Sequence, residues 1–226
     1  ASDTENDNIA IGFDAMTTNT AGGQYNIAIG NYAADALTSG DNNVVIGHNV
    51  ASNLSSGGNN TAVGFDALLA TTTQSDNTAF GYQALRANTA ADNTAFGKDA
   101  LALNSTGDYN VAVGRSALAA NTTGASNLAI GTNTMTANTT GTRNIAIGNE
   151  AYDSSDTEND NLAIGYQAMT ANTAGGTKNL AIGNYAMDAH TSGDQNTAVG
   201  YNALSTNTTA ENNVAVGVDA LLTNDA

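Results

Sequence analysis

The acidic side chains are the residues that could most directly perform hydrolytic chemistry. Glycoside hydrolases use two carboxyl groups held on either side of the scissile bond. In this chain four aspartates share one position of a repeated motif but never occur in consecutive copies of it, and Glu150 stands alone. The four are Asp14, Asp66, Asp99 and Asp219. Because this spacing brings no two carboxylates together, a polysaccharide-degrading tail spike is the weakest function considered, and we predict no enzyme.

The residues that usually bind metals or phosphate are too few to predict a site. His48 and His190 are isolated and the chain has no Cys, so we expect no imidazole or thiolate metal site. The acidic turns at 2–7 and 155–160 could bind Ca²⁺ weakly through oxygen ligands, although a solvated loop is the simpler explanation. No segment matches a phosphate-binding loop with its Lys. We therefore predict no cofactor.

An outer column of aromatic and cationic residues is the best candidate for ligand contact. It lies directly after a repeated glycine, and aromatic rings beside cations suit sugar rings or anionic glycans such as those of a host surface. Covering a corner of the fold, or a seam between chains, is the alternative role. The candidate ligand-contact residues are Phe65, Tyr82, Lys98, Arg115, Tyr166 and Tyr201.

A regular row of hydroxyl side chains forms a second outer column. Such a row on a flat solenoid face is typical of ice-binding proteins, but here each repeat offers one hydroxyl rather than two parallel rows. Stabilisation of the stack and solubility are the alternative roles. The row is Thr20, Thr38, Ser55, Thr72, Thr89, Ser105, Thr122, Thr139, Thr173, Thr191 and Thr208.

Charge and composition exclude several function classes. The chain has 5 basic and 21 acidic residues and a net charge of −16, which argues against binding nucleic acid or anionic lipid. No apolar run approaches the roughly 20 residues of a membrane helix, so we expect no membrane insertion. Ile, Leu, Val and Phe make up only 38 of 226 residues. That fraction is typical of disordered chains, but the regular order of these residues predicts a folded one.

The whole chain is one repeat array. The motif Asn–x–Ala–[Ile/Val/Phe]–Gly occurs thirteen times, once with Val45 in place of Ala, at a spacing of 17 residues, with two spacings of 18 and one of 16. Repeat positions are numbered here from this Asn, which is position 1. A block of nine repeats is duplicated at an offset of 153 residues, so that residues 2–73 resemble 155–226. We expect residues 1–226 to form a single continuous array within a longer chain.

Each repeat has the composition of one coil of a solenoid. The segment around "NIAIG" has strand character and ends at Gly, "xxAL" predicts a second short extended piece, and the Asn/Thr/Gly-rich remainder has turn chemistry. The sequence therefore predicts an all-β fold, a parallel β-solenoid (β-roll) of about thirteen 17-residue coils. Stacking at about 4.8 Å per coil gives a rod of roughly 60 Å.

Two invariant columns are predicted to be structural ladders. Asn side chains at position 1 can pass amide hydrogen bonds from coil to coil, and Gly at position 5 suits a corner with positive φ or a close backbone approach. Representative Asn residues are Asn60, Asn77, Asn110, Asn127 and Asn144. Representative glycines are Gly64, Gly81, Gly114, Gly131 and Gly148.

The strand is apolar on both faces, which predicts self-association. Strand side chains alternate, and in "NTAVG" both Ala62 and its neighbour Val63 are apolar. A coil of 17 residues encloses only one thin core, so we expect one face to fill that core and the other to pack against a second chain. A homo-oligomer follows, with a trimer favoured. A monomeric solenoid with an apolar outer stripe is the alternative.

The motifs resemble those of a known family. "NIAIGNYA", "NTAVGFDAL" and "NTAVGYNAL" are similar to the head repeats of YadA-like trimeric autotransporter adhesins and to bacteriophage tail-fibre repeats. The family signature falls here on Asn26, Ala28, Ile29 and Gly30 and their equivalents across nearly the whole chain. The resemblance implies left-handed β-rolls packed as homotrimers. The adhesin repeat is shorter, however, and often has a second Gly-terminated strand where this chain has "ALxxNTTG".

These observations favour a non-enzymatic structural segment of an extracellular fibre or adhesin. The segment would be a rigid, self-associating stalk or head at a cell surface or on a virion tail. The alternative is a glycan-binding or ice-binding solenoid that uses its outer columns.

Overall fold

The computed structural model describes residues 7–19 and 21–223, and it confirms an all-β parallel solenoid. Each repeat contributes one three-residue strand, and thirteen strands stack in sequence order as one parallel sheet. The acidic segment 2–6 and Thr20 lie outside the described residues. The strands are β1 (Ile9–Ile11), β2 (Ile27–Ile29), β3 (Val44–Ile46), β4 (Thr61–Val63), β5 (Thr78–Phe80), β6 (Thr94–Phe96), β7 (Val111–Val113), β8 (Leu128–Ile130), β9 (Ile145–Ile147), β10 (Leu162–Ile164), β11 (Leu180–Ile182), β12 (Thr197–Val199) and β13 (Val214–Val216).

The strand register keeps every repeat position above itself. Ala62 pairs with Ala79, and the irregular spacings do not shift the register, since Ile9 pairs with Ile27 across an 18-residue repeat. The extra residue of the 18-residue repeats is absorbed in a turn at Gly22 and Gly175, where a side chain would meet open space. Variation in repeat length is therefore confined to one turn.

The core is built from small side chains inside each coil. In the inner coils, Ala at positions 3 and 8 and the usual Leu or Met at position 9 are fully buried, as Ala62, Ala67 and Leu68 show. The larger strand residues point outward: Val63 is half-buried and Phe80 is 48% exposed. The alanine face of the strand is therefore the core face, and the Ile/Val/Phe face is the outer surface of the chain.

The second extended segment predicted at "xxAL" is wrong, because the chain forms a turn there. Asp66 and Leu68 adopt left-handed conformations with φ of 54° and 53°, as does Asn59, just before the Asn of its repeat, with φ of 58°. A left-handed residue costs roughly 1–2 kcal/mol. Burial of the Leu68 side chain and a 3.1 Å hydrogen bond from Leu68 N to Ala84 O in the next coil offset this cost.

Positions 9 and 12 share one volume of the core. Most coils place Leu or Met at position 9 and a polar residue at position 12, as in Leu118 with Asn121. Two coils reverse the arrangement, with Ala34 beside Leu37 and Ala51 beside Leu54, and all four side chains are fully buried. In these two coils, the larger Leu at position 12 therefore fills the volume that the small Ala at position 9 leaves empty.

Candidate interaction surface

The position 1 asparagines form a hydrogen-bonded ladder along the solenoid. The Oδ1 atom of Asn110 accepts bonds from the backbone N (3.0 Å) and Nδ2 (3.2 Å) of Asn127. Asn127 in turn accepts from Asn144 N at 2.9 Å, and its Nδ2 donates to Gly141 O at 2.8 Å. Asn60 Oδ1 likewise accepts from the backbone N of Asn77 in the next coil, at 3.0 Å. Each Asn thereby satisfies buried polar groups in its own coil and in both neighbouring coils.

A second asparagine ladder, at position 12, was missed in the sequence. Asn121 Nδ2 donates to Asn104 Oδ1 at 2.7 Å and to Gly124 O at 2.9 Å, and Asn138 Nδ2 donates to Asn121 Oδ1 at 3.0 Å. The Gly124 carbonyl also accepts from Asn110 of the first ladder at 2.8 Å. The frequent Asn before Thr in "ANTT" segments was the available signal, but Leu or Thr at this position in other coils concealed it.

The two ladders should differ in how much they stabilise the fold. Asn127→Thr leaves the Asn144 N–H without its acceptor, at about 1–3 kcal/mol, and removes two further bonds, to Asn110 Oδ1 and to Gly141 O, at about 1 kcal/mol each. Asn121→Thr is the matched control, because Thr71 already occupies this position beside Leu68 and Gly124 O keeps its bond from Asn110. Asn104 Oδ1 loses its donor, but the equivalent Oδ1 of Asn138 already has no partner among the described residues. Urea unfolding should show a loss of about 3 kcal/mol or more for Asn127→Thr and a much smaller loss for Asn121→Thr. Equal losses would contradict this assignment.

The corner glycines allow adjacent coils to approach closely. Gly64, Gly81, Gly114, Gly131 and Gly148 have φ between 134° and 143°. A Cβ atom on any of them would lie 2.2–2.6 Å from a neighbouring backbone atom or side-chain oxygen. Glycine at position 5 is therefore required both by the conformation and by the stacking distance.

The outward strand residues form an uncharged apolar face along the whole described solenoid. We call positions 2 and 4 of all coils the strand face. None of the thirteen strands contains a charged residue. Exposure is substantial at Ile11 (59%), Phe96 (44%), Val113 (38%), Ile130 (37%) and Ile145 (39%). Because large apolar patches are unusual on monomers, the strand face is the candidate interaction surface of this chain.

The candidate ligand-contact residues form two separate groups on one edge of the strand face. Phe65 and Tyr82 stack with centroids 5.5 Å apart and an interplanar angle of 9°, and Lys98 Nζ lies 5.6 Å from the Tyr82 centroid. His48 stacks on the other side of Phe65 at 5.4 Å. Arg115 is exposed in the next coil, with no ion pair or ring contact to any described residue. The ring faces of Phe65 and Tyr82 are therefore used within the column, which leaves their edges for a ligand.

The second group lies in the duplicated block. Tyr166 and Tyr201 are bridged by Tyr185, which sequence reasoning did not single out, at centroid distances of 5.4 and 5.8 Å with nearly perpendicular rings. The residues 153 positions earlier, Phe13, Tyr32 and His48, repeat this geometry. Burial and the neighbouring rings Tyr166 and Tyr201 raise the pKa of Tyr185. Glycan binding at these rings stays a prediction.

The other predicted chemistry finds little geometric support. In the hydroxyl row, Thr38 and Ser105 donate to carbonyls of the next coil at 3.0 and 2.7 Å, so the hydroxyl protons are already committed and ice binding stays a prediction.

In the turn 155–160, both oxygens of Glu158 accept backbone N–H bonds and Asp160 pairs with Arg143. Among residues 7–19 and 21–223 no group of three or more acidic, His or Cys side chains is arranged to hold a metal ion, and no helix could cross a membrane.

His190 is a titratable side chain enclosed in the core. Its Nε2 lies 2.7 Å from Gly193 O, to which the neutral ring donates, and Nδ1 has no partner within the described part of the chain. Burial lowers the pKa of His190, opposed by interactions with the backbone of Gly193 and Asn207 and by the charge of Asp194. Burial therefore favours the neutral His190 ring over its charged form in the folded state.

Stability should therefore fall as the pH drops below about 6.5, the usual pKa of His in an unfolded chain. The unfolded chain binds this proton more readily than the folded one, so the stabilisation is complete above pH 6.5 and declines towards the lowered folded pKa, by at most about 1.4 kcal/mol per pH unit. His190→Asn recreates the pairing of Met169 with Asn172 and should remove this component. Urea unfolding of both proteins at pH 7.5 and 5 measures the difference. An identical pH dependence would contradict the prediction.

The chain was compared with known protein families, curated proteins and solved structures. No protein-family model matches the chain, and no curated protein or solved structure matches it.

Proposed function

We propose that this chain is a non-enzymatic, self-associating segment of an extracellular fibre or adhesin. The observation that carries the proposal is the strand face, which is uncharged, mostly apolar and at least partly exposed along all thirteen coils, while the chain as a whole carries a net charge of −16. A soluble acidic protein gains little from such a face unless another surface covers it. Its exposed area is on the order of 1,000 Å², comparable with the roughly 800 Å² that each partner buries in a standard interface.

The partner is a second copy of the same chain. A charged partner would bring no complementary charge to a face without charged residues, whereas identical apolar columns present matched periodicity at about 4.8 Å per coil. Closed packing of copies would also shield the strand face from other proteins. A trimer of left-handed rolls is the arrangement that the resemblance to YadA-like head repeats supports.

The function of the assembly is mechanical. The position 1 asparagine ladder and a continuous parallel sheet link every coil to the next, and the position 12 ladder adds bonds between the coils of Asn88 and Asn138, which suits a stiff rod. A rod of roughly 60 Å per thirteen coils gives reach at a cell surface or on a virion tail.

Sedimentation equilibrium of the unmodified chain tests the proposal. We expect a mass close to three times the chain mass of 22.6 kDa at micromolar concentration. A stable monomer across that range would overturn self-association and with it the proposed function.

A further inference from the structure

A second row of hydroxyl side chains, missed in the sequence, lies beside the first. The hydroxyl row already described occupies position 13, and the next residue, at position 14, is Ser or Thr in nine of the coils 2 to 12. Thr106, Thr123 and Thr140 are examples, and all three are exposed. We call positions 13 and 14 of coils 2 to 12 the hydroxyl face. Most coils therefore offer two adjacent hydroxyls, rather than the single hydroxyl expected from the sequence.

The two rows differ in the hydrogen bonds that their hydroxyls make. At position 13, Ser105 and Thr122 donate to a carbonyl of the next coil at 2.7 and 3.0 Å, so these oxygens can still accept hydrogen bonds from outside. At position 14, the side chains of Thr106, Thr123 and Thr140 make no hydrogen bond to any other described residue. A hydroxyl can both donate and accept. The hydroxyl face therefore has a row of fixed acceptors beside a row of free donors and acceptors.

The backbone beneath the hydroxyl face is held by hydrogen bonds between coils. The carbonyl oxygen of Thr139 accepts from the backbone N of Thr122 at 2.8 Å and of Thr123 at 3.0 Å. Asn121, the residue before Thr122, is fully buried and donates to Asn104 Oδ1 at 2.7 Å in the position 12 ladder. The hydroxyls therefore repeat at the coil spacing of about 4.8 Å on a backbone that is fixed before they meet a ligand.

The composition of the hydroxyl face selects the class of ligand. Asp156 is the only charged residue at these positions, and none of them is aromatic. Cations prefer carboxylate ligands and sugar rings stack on aromatic side chains, so neither ligand fits this face. Ordered water does fit, because each water molecule both donates and accepts hydrogen bonds and because the methyl groups of Thr restrict the orientation of the water around them. The oxygen atoms of hexagonal ice repeat along one crystal axis at nearly the coil spacing.

We propose that the hydroxyl face binds the surface of ice. Water molecules held by the two rows occupy the positions of one layer of the ice lattice, and the contacts of successive coils add because the rigid face loses little conformational entropy on binding. Coils 2 to 4 and 6 to 8 have a hydroxyl in both rows, and only Ala90 interrupts the second row between them. The hydroxyl face shares no residue with the strand face, so the inference is independent of the proposed self-association.

Thermal hysteresis, the gap between the melting and freezing temperatures of a single ice crystal, tests the proposal. The unmodified chain should produce a gap and faceted crystals. Thr123→Tyr places a ring over the centre of the hydroxyl face and should remove most of the gap. Ser126→Tyr is the matched control, because Ser126 is also exposed, and Tyr25 and Tyr109 already occupy its repeat position with φ of 59°, against 60° for Ser126. This variant should keep the full gap.

A second variant guards against a folding defect in the first. Thr140→Tyr, one coil further along the same row, should lose the gap as Thr123→Tyr does, with circular dichroism confirming that each variant folds and sedimentation equilibrium confirming the native oligomer size. An unmodified chain without thermal hysteresis, or folded Thr123→Tyr and Thr140→Tyr variants that keep the gap of Ser126→Tyr, would overturn ice binding and leave the proposed function intact. A monomeric chain that shows thermal hysteresis would support ice binding and overturn the proposed function.

Discussion

Replacing Ile130 by Asp is expected to dissociate the oligomer into folded monomers. Ile130 lies in β8, near the middle of the strand face, with Val113 and Ile147 beside it in the adjacent strands. In a closed interface the new carboxylate would lose its water without gaining a partner, at a cost of several kilocalories per mole for each copy. Since about 1.4 kcal/mol corresponds to a tenfold change in affinity, we expect the dissociation constant to rise at least a hundredfold.

The monomer itself should tolerate this change. Ile130 is 37% exposed in the single chain, and Asp in a strand costs at most about 1 kcal/mol. Leu103→Asp is the matched control, because Leu103 is 47% exposed but lies in a turn away from the strand face. Sedimentation equilibrium should show monomers for Ile130→Asp and the native oligomer for Leu103→Asp, with circular dichroism confirming that both fold. If both variants kept the oligomer, the strand face would not be the interface.

Replacing Gly114 by Ala is expected to destabilise the solenoid by about 3 kcal/mol or more. Gly114 has φ of 138°, and a Cβ atom would lie 2.2 Å from the carbonyl oxygen of Gly131 in the next coil. The clashing atom belongs to the backbone, so the coil must move and the sheet must open. Overpacking of about 1–3 kcal/mol and backbone strain of about 1–3 kcal/mol therefore add.

Gly175→Ala separates these two costs. Gly175 also has a positive φ, 104°, but a Cβ atom there would meet nothing within 4 Å. The Gly175→Ala variant should therefore lose only the part of the unfolding free energy that comes from backbone conformation, about 1 kcal/mol. Guanidinium unfolding at one fixed protein concentration measures both, because association would otherwise change the apparent stability. Equal losses for the two variants would mean that stacking distance does not constrain the corner glycine.

The sequence was sufficient to predict the repeat architecture. A motif recurring every 17 residues must place each repeat position above itself if the coils stack, so the parallel sheet and the coil-to-coil bonds of Asn127 and its equivalents follow from the period alone. Strand character also followed, because the β-branched residues around Ala62 favour extended backbone. Local composition and periodicity carry this information without any distant contact.

The sequence could not show the path of the chain after the glycine corner. "DALL" at 66–69 has the composition of an extended segment, yet Leu68 turns left-handed there. A left-handed Leu is locally unfavourable, and only its burial and its hydrogen bond to Ala84 in the next coil stabilise it. Those contacts come from a neighbouring coil, so they exist only once the solenoid has formed.

The same left-handed turns determine which face of each strand points into the core. Alternation established that Ala62 and Val63 lie on opposite faces and that both faces are apolar. The alternation could not show which of the two faces the coil encloses, because a period of two residues treats both faces of a strand alike. The left-handed turns at positions 7 and 9 fold the chain back over the alanine side, where there is room only for small side chains. They leave the larger residues on the outer surface of the chain, where they form the strand face.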